Sequence, residues 1–142
     1  MKYAAFGTQL QMGDGGTPTE TFATIQGLSK LGGPQLTLDE IDVTSHDSPG
    51  GYEEVVMTIL RSGLVAVTIM YDPPAATHNK TTGLLKKYQS RTKTNFKLIL
   101  PDIGLSTWTF AGYVKDFGMT NDTTAAMEAA VNIKVTGAVV PV

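Results

Sequence analysis

Apolar side chains recur at every second position in several short segments, and this alternation constrains the fold more than any other feature. In the segment 64–71, Val65, Val67 and Ile69 fall on one side of an extended chain. Because successive side chains of a β-strand point to opposite faces, such a segment indicates a strand with one buried face. Clusters of glycine, proline, serine and aspartate separate the segments. The pattern predicts a mainly β protein, a β-sandwich or barrel of about seven or eight strands.

One segment has helical spacing instead. Between Thr77 and Gln89, the apolar residues Leu84, Leu85 and Tyr88 lie on one stripe of an α-helix. Thr77 is a suitable N-cap residue, and basic residues follow near the end of the segment, where the helix dipole favours cations. The sequence therefore predicts a single helix, starting at Thr77 and packed on the sheet.

The segment 52–60 also alternates, with Val55, Met57 and Ile59 in phase. Ser62-Gly63 separates it from the strand at 64–71, and such a dipeptide suits a tight β-hairpin. The prediction is that these two strands pair with each other.

Residues 1–19 show no sustained apolar period and are rich in glycine. They are predicted to form a flexible N-terminal arm or loop. No linker, internal repeat or low-complexity tract divides the remainder, so the sequence predicts one domain over residues 1–142.

Composition excludes several functions. The 142 residues include no cysteine, which excludes disulfides, a thiol nucleophile and iron–sulfur clusters. The net charge of −2 argues against a protein that coats nucleic acid. The N-terminus lacks the apolar stretch of a secretory signal, and every apolar run is far shorter than the roughly 20 residues that cross a bilayer. The chain is expected to be made in a cytoplasm and to have no membrane partner.

The small net charge hides an uneven distribution. Residues 1–72 carry nine acidic and three basic side chains, whereas residues 73–142 carry four acidic and eight basic ones. Such asymmetry indicates either two solvated faces or an interaction surface on which the acidic half of one copy meets the basic half of another.

The richest polar cluster runs from Asp42 to Ser48 and includes His46. A Ser-His-Asp relay needs groups that converge from separate elements, and neighbours in sequence seldom do so. Two histidines without further ligands at metal-site spacing do not predict a metal centre either. The sequence therefore predicts no catalytic residue, no metal site and no cofactor, although a small hydrolase using His46 stays open as an alternative.

Trp108 and Phe110 offer a second alternative, a ligand-binding β-sandwich module in which aromatic rings stack on a sugar or a base. Both residues are in phase with Gly112 and Val114, which favours a stripe that faces the core. The sequence therefore predicts that Trp108 and Phe110 face the core.

An ordered series of segments resembles the major tail tube protein of long-tailed bacteriophages, over roughly Phe22 to Gly137. The most telling piece is Glu40-Ile41-Asp42-Val43-Thr44 with the Asp47-Ser48 that follows it. The other segments that carry the resemblance are Ile25–Leu28, Asp47–Tyr52, Tyr71-Asp72-Pro73, Phe96–Asp102, Trp108–Val114 and Asn132–Gly137.

The resemblance implies a β-sandwich with one helix and a structural, non-enzymatic role. In that family, hexameric rings stack into a hollow tube that a tape measure protein fills and through which DNA later passes without specific binding. Expected partners are further copies of the chain and the tail terminator and baseplate proteins. The expected location is the tail of a virion, assembled in the host cytoplasm. A terminator or baseplate hub with the same sandwich is the alternative within this class.

The loop at 44–52 is expected to lie between subunits or between stacked rings, and residues 1–19 are a second such element. Contact residues are predicted in the acidic segment 39–54 and on the basic end of the helix. They are Asp39, Glu40, Asp42, Thr44, Ser45, His46, Asp47, Ser48, Tyr52, Glu53, Glu54, Lys86, Lys87 and Arg91.

Overall fold

The computed structural model describes residues 1–142 and contains nine strands, one α-helix and one 3-10 turn. The predicted mainly β fold with a single helix is confirmed, with nine strands where seven or eight were predicted. The elements are β1 (Gln9–Gly13), β2 (Phe22–Thr24), β3 (Leu28–Gly32), β4 (Thr37–Asp42), the 3-10 turn Pro49–Gly51, β5 (Val55–Arg61), β6 (Leu64–Met70), α1 (Leu84–Ser90), β7 (Thr94–Ile99), β8 (Thr107–Thr120) and β9 (Glu128–Pro141). No helix is long and apolar enough to span a membrane.

Seven strands form one antiparallel sheet in the order β2-β1-β7-β8-β9-β6-β3. The two longest strands, β8 and β9, pair along most of their lengths at its centre. The edges are the short strands β2 and β3. The remaining two strands, β4 and β5, form a separate two-stranded sheet.

The core lies on one face of the large sheet. Directly opposed residues such as Val65 and Ile133 are both fully buried, and their neighbours on the other face are not. Because these residues belong to a single sheet and form one apolar cluster together with Leu84 of α1, the sheet curves around its own core. The core-facing prediction for the aromatic stripe is confirmed, since Phe110 is buried and Trp108 packs against the cluster while partly exposed.

The first correction concerns the predicted N-terminal arm. Residues 9–13 are not an arm or loop but strand β1, which pairs with both β2 and β7. Leu10 and Met12 are buried in the core. Two apolar residues are too few to mark a strand by their spacing, and β1 is held by partners that lie far away in sequence.

The second correction concerns the helix, which starts at Leu84 rather than Thr77. The Asn79 side chain accepts hydrogen bonds from the backbone N–H groups of Thr82 and Gly83, at 2.7 and 3.0 Å. The Thr82 amide is thereby bonded to a side chain, whereas the Gly83 amide is shared between that side chain and the Asn79 carbonyl at 3.2 Å. The Thr77 hydroxyl accepts a hydrogen bond from the Gln26 N–H at 3.2 Å instead of capping a helix.

His78 fastens the loop between β6 and α1 to the rest of the molecule. Its side chain is fully buried. Nδ1 lies 3.0 Å from the Asp72 backbone nitrogen, and Nε2 lies 2.6 Å from the Gln26 carbonyl oxygen. A backbone N–H can only donate, so Nδ1 accepts and Nε2 carries the hydrogen that it donates to Gln26. One imidazole ring thus satisfies two backbone groups from separate segments.

The third correction concerns strand pairing, because β5 pairs with β4 and not with β6. Ser62-Gly63 redirects the chain from the small sheet into the large one, and the Ser62 hydroxyl donates to the Gly137 carbonyl at 2.8 Å. Alternation shows which residues share a face, but it does not identify the partner strand.

Replacing Gly63 with alanine is expected to lower the free energy of unfolding by about 1–3 kcal/mol. Gly63 has φ of +69°, and an added Cβ would lie 2.6 Å from the Gln35 carbonyl oxygen. Gly104→Ala is the matched control, because no heavy atom lies within 4 Å of its added Cβ. Urea unfolding of both variants measures the difference, and equal stability would contradict a strained junction at Gly63.

Candidate assembly surface

The sheet of β4 and β5, with its connecting loop, forms a hairpin that packs chiefly against itself. We call residues 37–61 the hairpin and residues 43–54 its tip loop. Leu38 lies directly opposite Leu60, and Ile41 lies opposite Val56. These four apolar side chains are between 50% and 81% exposed.

A hairpin of this kind is not expected to remain uncovered. An isolated two-stranded sheet is marginally stable in water, because it has no second layer on which to bury its side chains. Contiguous exposed apolar surface of this sort marks an interaction site in soluble proteins. The hairpin is therefore the strongest candidate for a surface that another protein chain covers.

An ion pair closes the end of the hairpin nearer the large sheet. The Arg61 guanidinium donates to the Asp39 carboxylate, at 2.8 Å from Nε and 2.7 Å from Nη2. This hydrogen bond lowers the pKa of Asp39 below its ordinary value of 3.8 and raises the pKa of Arg61. Asp39 thus has a partner within its own chain.

Side-chain hydrogen bonds order the tip loop. The Ser48 hydroxyl accepts from the Ser45 N–H and donates to Glu54 Oε2, both at 2.9 Å. The Thr44 hydroxyl accepts from the Glu54 N–H at 2.8 Å. Asp42 Oδ1 accepts from the Thr44 N–H at 2.8 Å, and hydrogen bonding to Thr44 lowers the pKa of Asp42. These bonds join the two ends of the loop.

The structure divides the predicted contact residues of the hairpin into two groups. The first group is bonded within the hairpin and consists of Asp39, Asp42, Thr44, Ser45, Ser48 and Glu54. The others have exposed side chains that make no hydrogen bond or ion pair within the chain. They are Glu40, His46, Asp47, Tyr52 and Glu53. The second group is available to a partner.

The predicted basic residues of α1 do not lie together. Lys86 and Lys87 line a groove of about 460 Å³ between α1 and the turn that joins β1 to β2. Arg91 follows the helix in the left-handed conformation and lies beside Tyr88 and Tyr113 instead. We call the groove lined by Lys86 and Lys87 the helix groove.

Reasoning from the sequence missed the apolar part of this surface. The predicted contacts are all polar or aromatic, whereas the exposed apolar pairs of β4 and β5 were assigned to ordinary strands. A usable signal was present, because Val55, Val56 and Met57 are consecutive apolar residues and cannot share one face of a strand. A strand that is apolar on both faces needs cover on both.

The fold is similar to that of tail components of solved assemblies. One match is a chain in the tail of an empty gene transfer agent particle with C6 symmetry (TM-score 0.72, 18% identity, covering 92% of this chain and 93% of that chain). Another is from the sheath/tube terminator of an extracellular contractile injection system (0.73, 13%, 100% and 97%). A third is the SPP1 tail tube (0.63, 12%, 94% and 75%).

No protein-family model matches the chain, and no curated protein matches it in sequence. At identities of 12–18% the structural matches establish the fold. The chain has the tail-tube fold, and the resemblance that its sequence indicates is confirmed at this level.

Proposed function

We propose that the chain is the structural subunit of a phage tail tube, with hexameric rings that stack into a hollow conduit for DNA. The observation that carries the proposal is an exposed apolar hairpin attached to a tail-tube fold. A subunit that works alone would expose this surface to water, whereas a polymerising subunit buries it against the next copy. The C6 symmetry of a structurally similar tail supports the hexameric ring.

The large sheet offers a way to join subunits within a ring. Its edge strands β2 and β3 leave backbone groups available for pairing, and open edges readily pair with other chains. The two edges differ, so a contact between them is head-to-tail. Head-to-tail contacts related by a rotation close into rings, and stacked rings make a tube.

As a tube subunit, the chain is not an enzyme and needs no cofactor. Its partners are other copies, a tape measure protein in the lumen, and terminator and baseplate proteins at the ends. It is assembled in the host cytoplasm and resides in the virion tail. The fourteen predicted contact residues are proposed to lie at these interfaces, and a weakly acidic chain suits a lumen that lets DNA pass.

Electron microscopy of the purified chain tests the proposal. We expect hollow tubes or rings at high protein concentration, with sixfold end views after averaging. A particle that stays monomeric at every concentration, and also when coexpressed with the other tail proteins, would contradict it. Single rings that never stack would instead favour a terminator, a second candidate supported by the match to a terminator assembly.

A further inference from the structure

The helix groove has the chemistry of a site for an acidic peptide segment. Lys86 and Lys87 of α1 line it together with threonine and serine residues, and Met12, Ala23 and Ala76 supply its apolar part. Its one acidic residue, Asp14, is already satisfied, because Oδ1 accepts hydrogen bonds from Gly16 N–H at 2.8 Å and Thr21 N–H at 3.1 Å. Hydrogen bonds from Gly16 and Thr21 lower the pKa of Asp14, and the nearby charge of Lys87 adds to this lowering. The groove therefore offers hydrogen-bond donors and two cations, neither of which forms an ion pair within the chain.

The tip loop offers the opposite charge. Residues 43–54 contain three carboxylates and no lysine or arginine. Glu54 is bonded within the loop, which leaves Asp47 and Glu53 free on its surface. Tyr52, which is 77% exposed, precedes Glu53. The loop thus presents two free carboxylates and an aromatic ring on an ordered backbone.

The two surfaces are different parts of the molecule. The hairpin follows β3 and returns into its neighbour β6. The helix groove lies beside the turn between β1 and β2. Residues 25–27 join β2 to β3 and bond to β1 and β6, so these two edge strands lie near each other where the curved sheet approaches closure. A head-to-tail contact between identical copies requires two different surfaces, which the chain has.

We propose that the helix groove of one copy binds the tip loop of a second copy, with Asp47 and Glu53 pairing with Lys86 and Lys87. This inference rests on the proposed function and identifies which surface covers the tip loop in the assembly. Charge complementarity selects the occupant, and it also favours the correct register of the contact over like-charged alternatives. The apolar pairs of the hairpin then add the non-directional part of the binding energy.

Chemical cross-linking tests the contact directly, because the chain has no cysteine of its own. A copy with Asp47→Cys is mixed with a differently tagged copy carrying Lys87→Cys. An ion pair of these side chains holds the Cα atoms farther apart than the about 7 Å that a disulfide bridges, so a short bismaleimide is used. The expected product is a mixed dimer that forms when the reagent is added to assembled tubes and does not form when it is added to dissociated subunits.

The matched control replaces Lys87→Cys with Lys115→Cys, since Lys115 is an exposed lysine on β8 away from the groove. We expect little cross-linking of this copy to Asp47→Cys. Tubes that form but give no Asp47–Lys87 product, or equal yields for both lysine positions, would overturn the inference and leave the proposed function intact. A wild-type chain that forms neither rings nor tubes would overturn both.

Charge reversal adds an independent test. We expect Lys86→Glu with Lys87→Glu to raise the protein concentration needed for tubes at least tenfold. Adding Asp47→Lys and Glu53→Lys to that chain should restore assembly, because the pairing is reversed rather than removed. The double variant Lys115→Glu/Lys134→Glu changes the net charge equally and is expected to assemble normally, because both lysines are exposed on the central strands β8 and β9. Failure of the reversed chain to recover, with its monomer folded by circular dichroism, contradicts the proposed pairing.

Discussion

Tubes are expected to be lost, and the folded monomer kept, when Ile41 and Leu60 are both replaced by aspartate. Each residue belongs to an exposed cross-strand apolar pair of the hairpin. Because both side chains are at least half exposed in the monomer, the change should lower its free energy of unfolding by less than about 1 kcal/mol. In the assembly the same carboxylates would be buried without partners, which costs several kcal/mol per ion.

Sedimentation and electron microscopy of Ile41→Asp/Leu60→Asp measure assembly, and urea unfolding measures the monomer. Ile103→Asp is the control, since Ile103 is 82% exposed in the turn between β7 and β8. We expect the control to form tubes of normal appearance. If the hairpin variant still assembles at wild-type concentration, the hairpin is not the covered surface.

The second large effect is expected in the fold, from His78→Ala. The alanine leaves the Asp72 N–H and the Gln26 carbonyl without the partners that the imidazole supplies. A fully buried polar group that loses its partner costs about 1–3 kcal/mol. Because both bonds are only partly buried, the two together predict a loss of about 1–3 kcal/mol. The removal of a fully buried ring adds to this loss through the cavity it leaves.

Thermal and urea unfolding of the monomer measure the effect of His78→Ala, with His46→Ala as control. His46 is the other histidine of the chain and is exposed in the tip loop, so its removal should leave the melting temperature unchanged. His78→Gln should recover part of the stability, because a carboxamide can accept one hydrogen bond and donate another. Equal stability of the two alanine variants would show that His78 does not join the segments.

The alternation of apolar residues was sufficient to predict much of the large sheet. The alternation in 64–70 and in the first half of β8 predicted both the strands and their buried faces, because burial on one face dictates every second residue. The single helix was found for a related reason, although its start was placed seven residues too early. Asn79 and Gly83 set that start through a turn whose hydrogen bonds the helical spacing does not reveal.

The pairing of strands that are distant in the chain could not be predicted from the sequence. Strand β1 has its partners in β2 and in β7, more than 80 residues later, so its five residues had no local signal that distinguished them from a loop. The partner of β5 was predicted wrongly for a different reason, because β4 and β6 both lie close to it in sequence and alternation does not choose between them. The candidate surface was predicted in its polar part because turn formers and charges mark a loop, whereas the exposure of Leu38 and Ile41 depends on which strands pair.

The hydrogen-bonded tip loop has a consequence for the entropy of assembly. Fixing the backbone of a mobile loop residue costs about 1–2 kcal/mol, and a loop that becomes ordered only on binding subtracts that cost from its affinity. In this chain Ser48 and Thr44 have already fixed the loop in the free subunit. In the proposed assembly, a preorganised loop therefore loses less of its contact energy to ordering of the loop.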